Sequence, residues 1–126
     1  MMNNSSQHCP FCHPEDILFE NDLAYSILDN SPVNPGHLLI IPKRHLADFF
    51  LTTEKEKVAL LSLLDEAKSY LDRKHAPAGY NIGINVGEVA GQTIFHVHLH
   101  LIPRYQGDME NPRGGVRGVI PDKQHY

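Results

Sequence analysis

The run Phe95-His96-Val97-His98-Leu99-His100-Leu101-Ile102 constrains this chain more than any other feature. Apolar and histidine residues alternate from 95 to 101, which is the period of a strand and not of a helix. Side chains alternate across a strand, so His96, His98 and His100 share one face, with neighbours about 6.5–7 Å apart. Phe95, Val97, Leu99 and Leu101 share the other face, which demands a second apolar layer to cover it.

The rest of the chain offers that layer. Thr53 and Glu56 have capping-box spacing, and Leu60, Leu61, Leu64, Ala67 and Leu71 recur at helical intervals. A helix is therefore expected from about Thr53 to just before Pro77. Ile17–Glu20 and Ala24–Leu28 flank Asn21-Asp22 as a hairpin, and His37–Pro42 reads as a buried strand. Two further strands, about Gly79–Val86 and Ile94–Ile102, are joined by Gly87-Glu88-Val89-Ala90-Gly91-Gln92-Thr93. Short joints between these elements predict an α+β fold: an antiparallel sheet of about five strands with one long helix on it. The 126 residues are expected to form a single domain, 1–126. Residues 1–15 precede its first strand, and 107–126, around Asn111-Pro112-Arg113-Gly114-Gly115, read as an irregular C-terminal arm.

Charge narrows the partners. A net charge of −4 argues against nucleic acid and acidic membranes as general partners. Met1–Gln7 shows neither a basic segment nor an apolar run, and no stretch approaches the ~18 apolar residues of a membrane span. A cytoplasmic, reducing setting is the expectation, in which Cys9-Pro10-Phe11-Cys12 reads as half a zinc site, a free thiol pair or a redox couple. The redox reading is weaker, since no strand-helix-strand unit surrounds the pair.

Nine histidines are unusual for this length. At an ordinary pKa of about 6.5, most of each is neutral at pH 7 and keeps a ring lone pair. Such a nitrogen can attack phosphorus without first losing a proton, while the other ring nitrogen donates a hydrogen bond that fixes the tautomer. The resulting phosphoramidate is open to water in a second step. Of the remaining histidines, His75 and His125 read as surface residues, and His8 and His13 as surface residues that could also complete a site with the cysteines. His37 reads as either a support behind the site or, more often for such a position, one tolerated where a strand opens.

Gly91-Gln92-Thr93-Ile94-Phe95-His96-Val97-His98-Leu99-His100-Leu101-Ile102-Pro103-Arg104 resembles the signature of the histidine-triad (HIT) superfamily. Pro35-Gly36-His37-Leu38-Leu39-Ile40-Ile41-Pro42-Lys43-Arg44-His45 resembles its other recurrent strand, so the likeness runs from about Asp16 to Arg104. The resemblance implies a homodimer that acts on a purine nucleotide through a nucleotidyl-histidine intermediate. It places the nucleophile at His98, with His100 orienting site and phosphate; the Thr93 hydroxyl is suited to relay the proton that an amine leaving group needs. It assigns nucleotide contacts to Asp29 at the ribose and to Asn85, Gly91, Gln92, Thr93 and His100 at the phosphates. The same Asp29 is also a plausible Asx-turn residue before Ser31-Pro32. In relatives that carry an N-terminal cysteine pair, a structural zinc is held by positions matching Cys9, Cys12, His45 and His96.

Pro103-Arg104 followed by Gly107-Asp108 looks more like the dinucleoside polyphosphate hydrolase branch, which makes hydrolysis of diadenosine tetraphosphate-like substrates the leading expectation. Arg104, Arg113 and Arg117 either hold the phosphate chain or are solvated arginines of the arm. The alternatives are a nucleoside phosphoramidase of the adenylated-lysine type, a phosphorylase, a zinc-stabilised domain whose histidines merely bind metal, and a non-catalytic nucleotide-binding dimer that serves as an interaction module.

Overall fold

The computed structural model describes residues 8–126; the reading of Met1–Gln7, and the first half of the 1–15 segment, lie outside the described residues. Five strands and one helix form in the order β1 (Phe19–Glu20), β2 (Ala24–Leu28), β3 (Leu38–Pro42), α1 (Glu54–His75), β4 (Gly79–Ile84) and β5 (Leu99–Arg104). The strands make one antiparallel sheet ordered β1-β2-β3-β5-β4. This is the α+β arrangement that the alternation and the helical spacing predict.

Local chemistry explains the joints. The Asn21 carbonyl oxygen accepts from the amides of Leu23 and Ala24, at 3.1 and 2.9 Å, and so closes the first hairpin. At the start of α1 the capping box is complete. Thr53 Oγ1 accepts from the Glu56 amide at 3.1 Å, and Glu56 Oε1 accepts from the Thr53 amide at 2.8 Å. Glu56 is buried and also receives Arg44, whose Nε and Nη2 lie 3.0 and 2.8 Å from its two oxygens. That fork holds the Glu56 carboxyl down at about 2.

β3 is buried along its whole length because both its faces are covered. Leu38 and Ile40 join Ala24, Leu99 and Leu101 under Leu60, Leu63, Ala67 and Leu71 of the helix. Leu39 and Ile41 face the other way and pack with Cys9, Phe11 and Tyr25. Leu63, and not Leu61, completes the helix's inward stripe, since steps of three, four and four from Leu60 stay on one side. Leu61 is 57% exposed, and Leu64 packs at the edge.

The histidine segment departs from its expected form. β4 stops at Ile84, short of Val86, and β5 begins only at Leu99, short of Ile94. Residues 94–98 bend toward the segment after β3, where the Val97 amide donates to the Leu46 carbonyl at 2.8 Å. The three histidines therefore do not line one strand face. His96 turns away while His98 stays beside His100.

The arm from 107 is docked and folded into 3-10 turns at Gly115–Val119 and Pro121–Lys123. Gly114 sits at φ +91, and a Cβ there would meet the Gln124 carbonyl at 1.8 Å. No helix among the described residues is long and apolar enough to cross a membrane.

Candidate functional site

Two groups of side chains converge on the sheet face opposite the helix. The first is Cys9, Cys12, His45 and His96, whose donor atoms all lie within 4.8 Å of one another. Cys9 Sγ is 3.3 Å from His96 Nδ1, Cys12 Sγ is 3.2 Å from His45 Nδ1, and the two Nδ1 atoms are 3.3 Å apart. A tetrahedral ion with bonds of about 2.3 Å to sulfur and 2.0–2.1 Å to nitrogen needs donor separations of roughly 3.3–3.8 Å. These sulfur–nitrogen and nitrogen–nitrogen distances lie close to that range. His96 Nε2 lies 2.7 Å from the Pro42 carbonyl, which only accepts, so the ring's proton is there and Nδ1 presents its lone pair to the cluster. Left to itself the Cys12 thiol resists ionisation: burial and the neighbouring Cys9 push it up to about 11. A shared cation reverses that preference.

The second group is built on tautomers. The Val33 amide donates to His37 Nδ1 at 3.0 Å, so the proton of neutral His37 is on Nε2. That nitrogen is 3.0 Å from His100 Nδ1, to which it donates, leaving the His100 proton on Nε2. His98 Nδ1 lies 2.8 Å from the His96 carbonyl and donates to it, so His98 Nε2 keeps its lone pair. The His98 and His100 ring centroids are 5.1 Å apart. Burial lowers the pKa of both His37 and His100 against the opposing pull of Asp29, and His98 and His37 lower His100 further. These rings are neutral near pH 7.

Asp29 forms the Asx turn and reaches the histidine pair. Its Oδ1 accepts from the Ser31 amide at 2.8 Å in an Asx turn, while its Oδ2 lies 3.4 Å from His37 Nε2 and 4.0 Å from His100 Nδ1. Asp29, His37 and His100 are close enough to ligate a metal. The His37–His100 hydrogen bond already occupies the facing nitrogens, which favours a relay over an ion site.

Beside His37 and His100 opens a cavity of about 480 Å³, lined also by Asn85, Ile102, Val116 and Val119, so the arm supplies one wall. Asn85 makes no side-chain hydrogen bond among the described residues and is free to donate. Gly91 adopts φ +97 at the end of a 3-10 turn, and Thr93 is exposed. The Gln92 side chain is engaged within the loop. Its buried amide accepts from Gly87 at 2.9 Å and donates to the Ala47 and Ile94 carbonyls at 2.9 and 3.2 Å, so it shapes the loop. The arginines make contacts of their own, although Arg104 also lines this cavity. Arg104 forks onto Asp108 and reaches Asn81, and Arg113 and Arg117 flank the Tyr126 ring at 4.8 and 4.9 Å.

His37 is the residue that sequence reasoning undervalued. Leu39 pairs with His100 across β3 and β5, and His37 lies two residues from Leu39 on the same face. Only the strand order, which no local pattern reveals, puts that face beside the triad.

Residues 12–107 match the HIT domain family. The chain belongs to that family. Among HIT proteins it is 38% identical over 115 residues to a HIT-like protein of Mycoplasma genitalium, covering 84% of this chain and 79% of the relative. It is 32% identical over 93 residues to the AP-4-A phosphorylase of Mycobacterium tuberculosis, covering 73% of this chain but 48% of that protein. Its fold superposes with a TM-score of 0.75 on the crystal structure of a Zn-bound histidine triad family protein from Mycobacterium smegmatis. That match has 32% identity and covers 85% of this chain and 82% of the other.

Proposed function

We propose that this HIT protein hydrolyses dinucleoside polyphosphates of the diadenosine tetraphosphate kind at the α-phosphate. One observation carries the reading: the His98 ring is anchored through Nδ1–H to the His96 carbonyl, with Nε2 unprotonated. In the first step the Nε2–P bond forms as the bond from phosphorus to the bridging oxygen breaks, and the leaving nucleotide departs with the electron pair. Water then attacks phosphorus, the N–P bond breaks, a proton passes to solvent, and a mononucleotide leaves with His98 neutral again. His100, carrying its proton on Nε2, and the free amide of Asn85 are the donors for phosphoryl oxygens that gain charge. Asp29 takes the ribose hydroxyls through Oδ2, the Gly91 turn lets the backbone approach the phosphates, and the exposed Thr93 hydroxyl donates a hydrogen bond to the bridging oxygen as it leaves.

In the same reading, Cys9, Cys12, His45 and His96 hold a structural zinc, supported by their donor spacing and by the Zn-bound relative. With four protein ligands the ion supplies cross-linking, tying the N-terminal turn to the end of β3 and to the bend before β5. The whole of 1–126 works as one HIT-like domain, cytoplasmic and homodimeric. The 48%-exposed Ile82 on edge strand β4 supports a second copy there, and the net charge of −4 speaks against nucleic acid and membranes.

The test is chromatography of the products from diadenosine tetraphosphate, with mass spectrometry of the enzyme quenched without acid. Turnover with a nucleotidyl group trapped on His98 is expected. His98→Asn is expected to lower kcat by about 10⁴-fold or more while nucleotide binding stays within a few-fold. Full activity in that variant would falsify the assignment. A phosphorylase is the second reading, favoured by the M. tuberculosis relative. Products that change when inorganic phosphate is added would establish it instead.

A further inference from the structure

The Cys9–Cys12 turn does more than hold two thiols: it carries Phe11, and Phe11 touches the histidine that the proposed reaction uses. The Phe11 ring meets the His98 ring edge-on, with centroids 5.0 Å apart and planes at 64°. It also lies 6.0 Å from His96 at 88°. Phe11 is itself firmly placed. It is 6% exposed, it packs with Tyr25, Leu39 and Ile41, and its carbonyl accepts from the Tyr25 hydroxyl. The Cys12 amide closes the turn onto the Cys9 carbonyl at 3.2 Å.

Two other restraints on His98 stand beside Phe11. One edge is anchored by Nδ1–H to the His96 carbonyl, and His100 stands at one side. Among the described residues, only Phe11 adds a further ring contact to His98. A plain apolar filler of the second core would need no contact with a reacting ring. Phe11 instead stands edge-on against that ring, 5.0 Å between centroids.

We propose that Phe11 is a positioning residue for His98, through which the four-ligand cluster holds the attacking nitrogen in line. This rests on the reading of His98 as the nucleophile. The geometry of attack is sensitive at this scale, since displacement of a reacting group by about 1 Å costs around a hundredfold in rate.

The test is Phe11→Leu, which keeps apolar bulk but removes the ring. Bound zinc is measured by elemental analysis, steady-state kinetics are run on diadenosine tetraphosphate, and the histidine rings are followed by long-range ¹H–¹⁵N spectra. The variant is expected to bind as much zinc as the parent, keep KM within twofold and lose kcat by roughly tenfold or more. Its His98 signals should lose their ring-current displacement and move from the Nδ1-protonated form toward a tautomer mixture. Parental kcat with unmoved His98 signals overturns the proposal. If the variant loses zinc or fails to fold, the parent stripped of zinc by a chelator decides. Its His98 signals should move in the same direction, and signals that stay in place overturn the proposal. A His98→Asn control separates the two levels. Activity surviving in that control defeats the nucleophile reading whatever Phe11 does, whereas an inactive control beside an unaffected Phe11→Leu defeats only the positioning role.

Discussion

On one face of the sheet, Leu38, Ile40, Leu99 and Leu101 meet a helix stripe of Leu60, Leu63, Ala67 and Leu71 with no titratable group among them. On the other face, the same strands carry His37 and His100, and the chain around them brings in Asp29, His98 and the Cys9–Cys12–His45–His96 cluster. The first face is held by non-directional burial, which tolerates a change of register inside the helix as long as the stripe survives. The second is held by directed hydrogen bonds whose donors and acceptors fix one another's tautomers, so each member depends on its neighbour. Stability and chemistry are divided between opposite sides of strands only five or six residues long.

The largest break in this division is expected at the Cys9–Cys12–His45–His96 group, because the proposed zinc there would also hold the fold together. Cys12→Ser, or a chelator, is expected to lower Tm by more than about 10 °C in a zinc-loaded sample, with release of the ion seen by a colorimetric indicator. On the helix face, Leu63→Ala should cost about 2–5 kcal/mol in urea unfolding. Leu61→Ala, one residue earlier at 57% exposure, should stay within about 0.5 kcal/mol. Equal losses at 61 and 63 would mean that the inward stripe is misassigned.

Acid should separate the faces by pH window. Burial lowers the pKa of His37 and His100 below their ordinary value, so these rings take protons later in the fold than in the unfolded chain. Their contribution is full above about pH 6.5 and declines as the pH falls below it. Glu56 is lowered to about 2, chiefly by its Arg44 fork, so its contribution is present above about pH 4.5 and is lost as the pH falls toward 2. Urea midpoints measured from pH 8 to 2 should show two declines. His37→Gln should flatten the upper one alone. Glu56→Gln should flatten the lower one and cost about 1–3 kcal/mol at pH 7, since Arg44 and the Thr53 amide lose a charged acceptor. An unchanged upper decline in a His37→Gln, His100→Gln double variant would take the titration away from this pair.

The helix face was legible because its signals are local. The Thr53–Glu56 box sits within four residues, and the apolar period is read along a single element. The error between Leu61 and Leu63 is one of phase: two adjacent leucines satisfy the spacing, and only the packed partner selects between them. The histidine face was legible where a residue type announces itself, as at His96, His98, His100 and the two cysteines. It was not legible where the role depends on strand order or on a bend. His37 acquires its partner only because β3 lies beside β5, and Gln92 turns inward only because the loop after β4 folds back over Ala47. The bend that pulls His96 from the strand is itself a long-range effect, fastened to Leu46 and Pro42 some fifty residues earlier.

The smallest prediction asks whether the faces are independent, using a site that belongs to neither. Ala76 ends α1 in the left-handed region at φ 46, just before Pro77. A non-glycine residue there carries a penalty of about 1–2 kcal/mol. Glycine removes that penalty but loses about 0.4–1 kcal/mol through its greater freedom in the unfolded chain. The difference favours Ala76→Gly by roughly 0.5 kcal/mol, measurable as a rise of a few degrees in Tm. If the helix supports the sheet without steering the histidines, kcat and the upper pH decline should not move with it. A change in kcat alongside so small a gain in stability would show that the helix end reaches the reacting ring through the sheet, and the division between the faces would then be incomplete.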